Sequence, residues 1–171
     1  MRWRLLESIR ELTPGDCAVA QATANFPDEL FADHFPSYPV TPGVLLIEMG
    51  AQLSGLLVQA SVLARGAEWV FPLLGMIEQA KFRRPVLPGT SLEVRSRVES
   101  LRDDASLCEA RVIAPAGIVA QMRLMLVYQF SEEYSSGDPV ILERSARQEY
   151  QRLQSPWQPP PVTLNQCLQA K

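Results

Sequence analysis

The chain has 171 residues, of which 47% are hydrophobic and 20% charged, enough for one ordinary domain with a sizeable core and at most an appendage. With 16 basic and 19 acidic residues the net charge is −3, so the basic footprint of a nucleic-acid binder is missing. His34 is the one histidine, which excludes histidine-rich metal sites and puts any imidazole chemistry near neutral pH on that residue.

Arg2, Arg4, Glu7, Arg10 and Glu11 break up the apolar residues of the first segment, so no stretch there serves as a signal peptide. Cys17, Cys108 and Cys167 are far apart and odd in number, a usage that fits a reducing compartment and a cytoplasmic protein. Residues 16–25 are small and β-compatible. Residues 26–43 hold four prolines and several turn formers, and read as an irregular loop. Thr41-Pro42-Gly43 then opens a helix, with Thr41 able to cap and Pro42 suited to the first helical position.

That helix is expected to run to about residues 65–66. Apolar residues occupy every face, so it must be enclosed by the rest of the protein. Glu48, Gln52, Ser54 and Gln59 interrupt it, which favours a buried helix over a membrane span. Strands are expected at 72–82, 91–100, 107–114 and 118–130; residues 92–99 alternate strictly between inward and charged positions, and Ala116-Gly117 marks a turn. The fold class is therefore α+β, a curved antiparallel sheet wrapped around one long helix. Residues 1–130 form the domain. Residues 131–171 form an extension: a polar linker, a surface helix within 139–153, and a rigid proline-rich tail.

Between residues 35 and 64 the only ionisable group besides Tyr38 is Glu48. A glutamate inside an apolar helix needs a raised pKa or a dedicated partner. His34 lies just upstream, on the loop leading into the same helix, and the two residues can act as an acid/base pair. The backbone N–H groups of Gly43 and Val44 lack partners within the helix and carry the positive end of its dipole. Base, acid and amide donors together are what proton abstraction beside a thioester carbonyl and loss of a β-hydroxyl require. Each signal alone has a structural explanation; their order within HFPSYPVTPGVLLIEMGAQ favours the chemical one.

At these residues the chain resembles the bacterial 3-hydroxyacyl-acyl-carrier-protein dehydratases. His34, Phe35, Pro36, Pro39, Pro42, Gly43, Val44, Glu48, Ala51 and Gln52 fall on the family's signature. Gly75, Lys81, Phe82, Arg83, Pro85, Val86, Pro88 and Gly89 fall on a second block. The resemblance covers about residues 10–130, and residues 1–16 loosely resemble the family's opening helix and turn. It implies a hotdog fold, no cofactor, and an active site built across a dimer interface. His34 of one subunit would remove the α-proton, Glu48 of the other would protonate the leaving hydroxyl, Gly43 would hold the carbonyl, and Gln52 would support Glu48. Glutamate at 48 resembles the dehydratase-only branch. Met49-Gly50 and the extension depart from the pattern, with Gly50 suited to a close contact.

The resemblance further implies acyl carrier protein as partner, and a homodimer, with a trimer of dimers as the higher assembly. Lys81, Arg83 and Arg84 are the basic candidates for receiving the acidic carrier. Strand alternation would turn Phe82 inward, between Lys81 and Arg83 facing out. Phe35, Leu73, Met76, Phe82 and Val86 are candidates to line an acyl tunnel, with a place in the core as the alternative. The competing functions are a hotdog thioesterase and a non-catalytic subunit that binds carrier protein or a catalytic partner.

Overall fold

The computed structural model describes residues 4–130, 144, 147–148 and 151–153. In chain order the elements are β1 (Ser8–Thr13), β2 (Cys17–Thr23), α1 (Asp28–Asp33), α2 (Gly43–Ala64), β3 (Val70–Phe82), β4 (Ser91–Leu101), β5 (Ala105–Ala114) and β6 (Gly117–Phe130). The strands make one six-stranded antiparallel sheet in the order β1-β2-β4-β5-β6-β3. Gly117, at φ +108°, takes the backbone conformation that turns β5 into β6.

The curved sheet closes on α2. Leu46, Met49, Leu53 and Leu57 of the helix are buried with Leu92, Val94, Met122 and Leu124 of the sheet in a shared core, following the helical spacing of three and four residues. Gly50 brings helix and sheet into close approach. A Cβ built there would lie 2.7 Å from Met122 Sδ and 3.1 Å from Ala110 Cβ. Ser54 and Ser96 satisfy each other across the same interface at 2.7 Å. Cys108 is a buried free thiol beside them, and burial pushes its pKa up to about 12.

The helix and the four later strands stand where the hydrophobic pattern put them, but several expectations need correction. Residues 8–13 form a strand, not the expected opening helix, because β2 offers them a pairing edge. The proline-rich loop contains the short helix α1. Thr41 does not cap α2: Pro42 is the N-cap residue and Gly43 the first helical one. Cys17 is disulfide-bonded, not a free thiol. Nor is α2 enclosed on all sides within one protomer, since Val44 is 68% exposed at its start. It is long and apolar enough to cross a membrane, yet more than half of its apolar window is buried as the core helix.

The largest departure is β3. This strand ends the sheet with only β6 beside it, and Leu73, Leu74, Met76, Ile77 and Phe82 are all exposed. The expected alternation with Phe82 inward fails: among the described residues the strand is exposed from residue 73 to residue 79, and Phe82 is itself 52% exposed. Of the extension, residues 144, 147–148 and 151–153 are helical, consistent with the expected helix. The linker and the proline-rich tail lie outside the described residues.

Candidate active site

His34 follows α1 as its C-cap residue. Its Nδ1 lies 2.9 Å from the carbonyl oxygen of Val40. A carbonyl only accepts, so Nδ1 carries a proton, and in the neutral ring the lone pair sits on Nε2. The loop between these residues folds on itself through Tyr38 N–H to Phe35 O at 2.8 Å. Phe35 is the one described non-glycine residue with positive φ, at 59°, and its ring lies beside the imidazole with centroids 4.6 Å apart and planes tilted by 52°. Such backbone strain is typical of functional loops.

The helix start is fixed by the second sequence block. Thr41 N–H donates to Val86 O at 2.7 Å, tying HFPSYPVTPG to FRRPVLPG. The ring of Phe82 lies against Gly43, where an added Cβ would come within 2.9 Å of it. His34, Thr41, Gly43, Val44, Phe82 and Arg84 line one hollow of about 560 Å³. The first-turn amides of α2 at Gly43 and Val44 have no acceptor within the helix, and they carry its positive end at this hollow.

Glu48 is half-buried one turn further along α2. Gln52 Nε2 donates to Glu48 Oε1 at 2.9 Å, and Leu5 N–H donates to Gln52 Oε1 at 3.0 Å. The second bond sets the amide's orientation, so its NH₂ must face the carboxyl group. Glu48 thus has the dedicated partner its setting demands, and its Oε2 has no hydrogen-bond partner among the described residues. It lines a different hollow, of about 460 Å³, together with Leu6, Gln52, Phe71, Leu73 and Leu126. His34 and Glu48 are therefore not brought into one hollow within a protomer.

Phe35, Met76 and Phe82 are all exposed, which overturns the alternative that these three fill the core. Leu73 lines the Glu48 hollow, and Phe82 and the buried Val86 line the His34 hollow. Arg83 and Arg84 also border the His34 hollow, where Arg83 Nη2 donates to Gln121 Oε1 and Arg84 Nη1 to Ala116 O. Lys81 is exposed outside it. The roles of Val40 O and Leu5 N–H were invisible in the sequence, because backbone groups leave no residue-type signal. The buried Thr41 hydroxyl, which has no hydrogen-bond partner among the described residues, was also missed.

The FabA-like domain family matches residues 2–123, the stretch that carries His34, Gly43, Glu48 and Gln52. The chain belongs to the FabA-like family. Among curated relatives, this FabA-like chain is 32% identical over 125 residues to the 3-hydroxyacyl-[acyl-carrier-protein] dehydratase FabZ of Clostridium acetobutylicum, covering 72% of this chain and 86% of the relative. It is 38% identical over 106 residues to the enzyme of the same name from Ligilactobacillus salivarius, covering 62% and 74%. Among solved structures it is similar to the dehydratase heterocomplex ApeI:P of Xenorhabdus doucetiae, with TM-score 0.61 and 17% identity over 77% of this chain and 86% of that one. It is also similar to the E. coli PaaI protein of the phenylacetic acid degradation operon, with TM-score 0.56 and 14% identity over 72% and 79%. At these identities the structures speak for the shared hotdog fold alone.

Proposed function

We propose that this FabA-like protein dehydrates a 3-hydroxyacyl thioester on acyl carrier protein to the trans-2-enoyl thioester, in fatty-acid or related acyl biosynthesis. The observation that carries the reading is the His34–Val40 hydrogen bond, which leaves Nε2 as a free base beside the start of α2. Nε2 takes the α-proton, and the electrons of the C–H bond move toward the thioester carbonyl, whose oxygen accepts the Gly43 N–H, with Val44 N–H adjacent. Glu48, as the acid, gives a proton from Oε2 to the β-hydroxyl. The C–O bond breaks, water leaves and the Cα–Cβ double bond forms. Gln52 holds Oε1 throughout. Proton return from His34 to Glu48 completes the cycle, and no cofactor is needed.

Two copies complete the site. The base and the acid line separate hollows in one chain, and β3 is a long apolar edge that calls for a partner strand. A homodimer paired along β3 would cover that edge and bring His34 of one subunit toward Glu48 of the other; a trimer of dimers is the higher assembly in this reading. Carrier protein docks by its acidic face at Arg83 and Arg84, with Lys81 outside, and passes its thioester arm past Phe82 and Phe35. Acyl chain packing then falls to β3, including Met76. In this reading the protein works in the cytoplasm, where its carrier-bound substrate would be met.

The test follows enoyl thioester formation by absorbance, using purified chain and 3-hydroxyacyl carrier protein. His34→Ala and Glu48→Gln are each expected to lose about 10²-fold or more in kcat. Full activity in either variant overturns the assignment, and release of free thiol without enoyl product would indicate a thioesterase instead.

A further inference from the structure

The hollow that holds Glu48 follows one face of α2. Glu48, Ala51, Gln52, Gly55, Leu56 and Gln59 recur at helical spacing along its wall, a run of about 16 Å at 1.5 Å per residue. Its polar groups lie chiefly on the helix, at Glu48, Gln52 and Gln59, while the facing β3 segment supplies Phe71, Pro72, Leu73 and Leu74. A channel with an acid near one end, Arg4 and two helix glutamines among its polar groups and the apolar side chains of β3 opposite suits an acyl chain whose β-carbon reacts at Glu48.

One wall residue comes from outside the hotdog domain. Leu153, in the C-terminal extension, lines this hollow and is only 2% exposed. It is buried in the main core with Leu5 and Leu6. Its neighbour Arg152 donates from Nη2 to Leu6 O at 3.0 Å, and Leu5 N–H in turn orients Gln52. Arg152 and Leu153 are thus pinned to the N-terminal segment beside Gln52, with an aliphatic side chain in the wall of the channel.

We propose that Leu153 is a specificity-determining residue: the extension contributes it to the channel wall, where its bulk limits the acyl chains accepted beside Glu48. This rests on the dehydratase reading for the identity of the ligand. Shortening Leu153 to Ala removes three carbons from the wall and makes room for about two more chain methylenes. Each buried methylene contributes roughly fourfold, so preference for long over short chains rises roughly sixteenfold. Leu153→Phe moves the preference the other way.

The experiment uses the full chain with 3-hydroxyacyl carrier proteins of graded acyl length, comparing kcat/KM ratios for wild type, Leu153→Ala and Leu153→Phe. A parallel calorimetric series measures Kd for unreactive alkyl thioethers of pantetheine of the same lengths. The expected result is an opposite shift of the length optimum in the two variants, in turnover and in binding. Absence of turnover by wild type on every substrate refutes the dehydratase reading, while the binding series still decides the role of Leu153. If Leu153→Ala does not fold, Leu153→Val replaces it with a smaller shift in the same direction. A uniform loss across all lengths in folded variants, with the length optimum unmoved, overturns the proposal and leaves Leu153 a packing residue only.

Discussion

Two glycines five residues apart on α2 should respond oppositely to the same substitution. Both are interior helix positions, where alanine is favoured over glycine by about 1 kcal/mol. At Gly55 a Cβ meets only Leu126 Cδ2, at 3.9 Å, an ordinary contact, so Gly55→Ala should stabilise by about 0.5–1 kcal/mol. At Gly50 it lies 2.7 Å from Met122 Sδ and 3.1 Å from Ala110 Cβ. The thioether can swing aside, but Ala110 is fixed within β5, so the helix must shift. Overpacking of this kind costs about 1–3 kcal/mol. After the helical gain, Gly50→Ala should be destabilising by about 1 kcal/mol. The propensity gain is common to both variants, so their difference, about 1–3 kcal/mol, isolates the packing cost. Urea unfolding followed by circular dichroism measures it, with melting temperatures moving by roughly 2–4 °C per kcal/mol for a chain of this size. Equal stabilisation of the two variants would refute the close helix–sheet approach at Gly50.

Other expectations follow from the site and the core. Gln52→Met removes the donor to Glu48 Oε1 and should lower kcat by about tenfold or more with KM little changed, since a hydrogen bond to a charged or polarised group is worth about 1.5–3 kcal/mol; an unchanged kcat in stopped assays would refute the relay. Cys108 has its folded pKa raised from 9.0 to about 12 by burial, so its neutral form is favoured in the fold: its contribution to stability is complete below pH 9 and is lost as pH rises toward 12, at up to about 1.4 kcal/mol per pH unit. Unfolding midpoints across that window should flatten in Cys108→Ala; an identical slope in both proteins would refute the assignment. Ile77→Lys on the exposed β3 edge should leave the protomer's melting temperature nearly unchanged while light scattering reports a monomer without dehydratase activity. A dimer that persists in this variant would rule out pairing along β3.

How much was readable varied by element. Residues 92–99 alternate because β4 is covered on one face only, and such a strand writes its period into the sequence. Residues 70–82 do not alternate, since β3 is an edge strand among the described residues and both of its sides are exposed over 73–79. The early strand β1 was missed because Ser8–Thr13 has only a weak pattern and owes its structure to pairing with β2. His34, Gly43 and Glu48 could be named from residue type and order, since few side chains supply a base or an acid and few backbones start a helix at Pro-Gly.

By itself the sequence supplied the groups of the proposed chemistry: one imidazole, one carboxyl group in an apolar helix, and a Pro-Gly helix start between them. It also determined the α+β plan, because hydrophobic periodicity is a local property of the chain. Only the tertiary structure decided which imidazole nitrogen is free, how the amide of Gln52 is turned, and that acid and base line different hollows of one protomer. It alone brought Leu153 from more than a hundred residues away to the wall beside Glu48. These outcomes depend on backbone hydrogen bonds and on contacts between distant segments, and neither leaves a mark in residue order that can be read before the chain is folded.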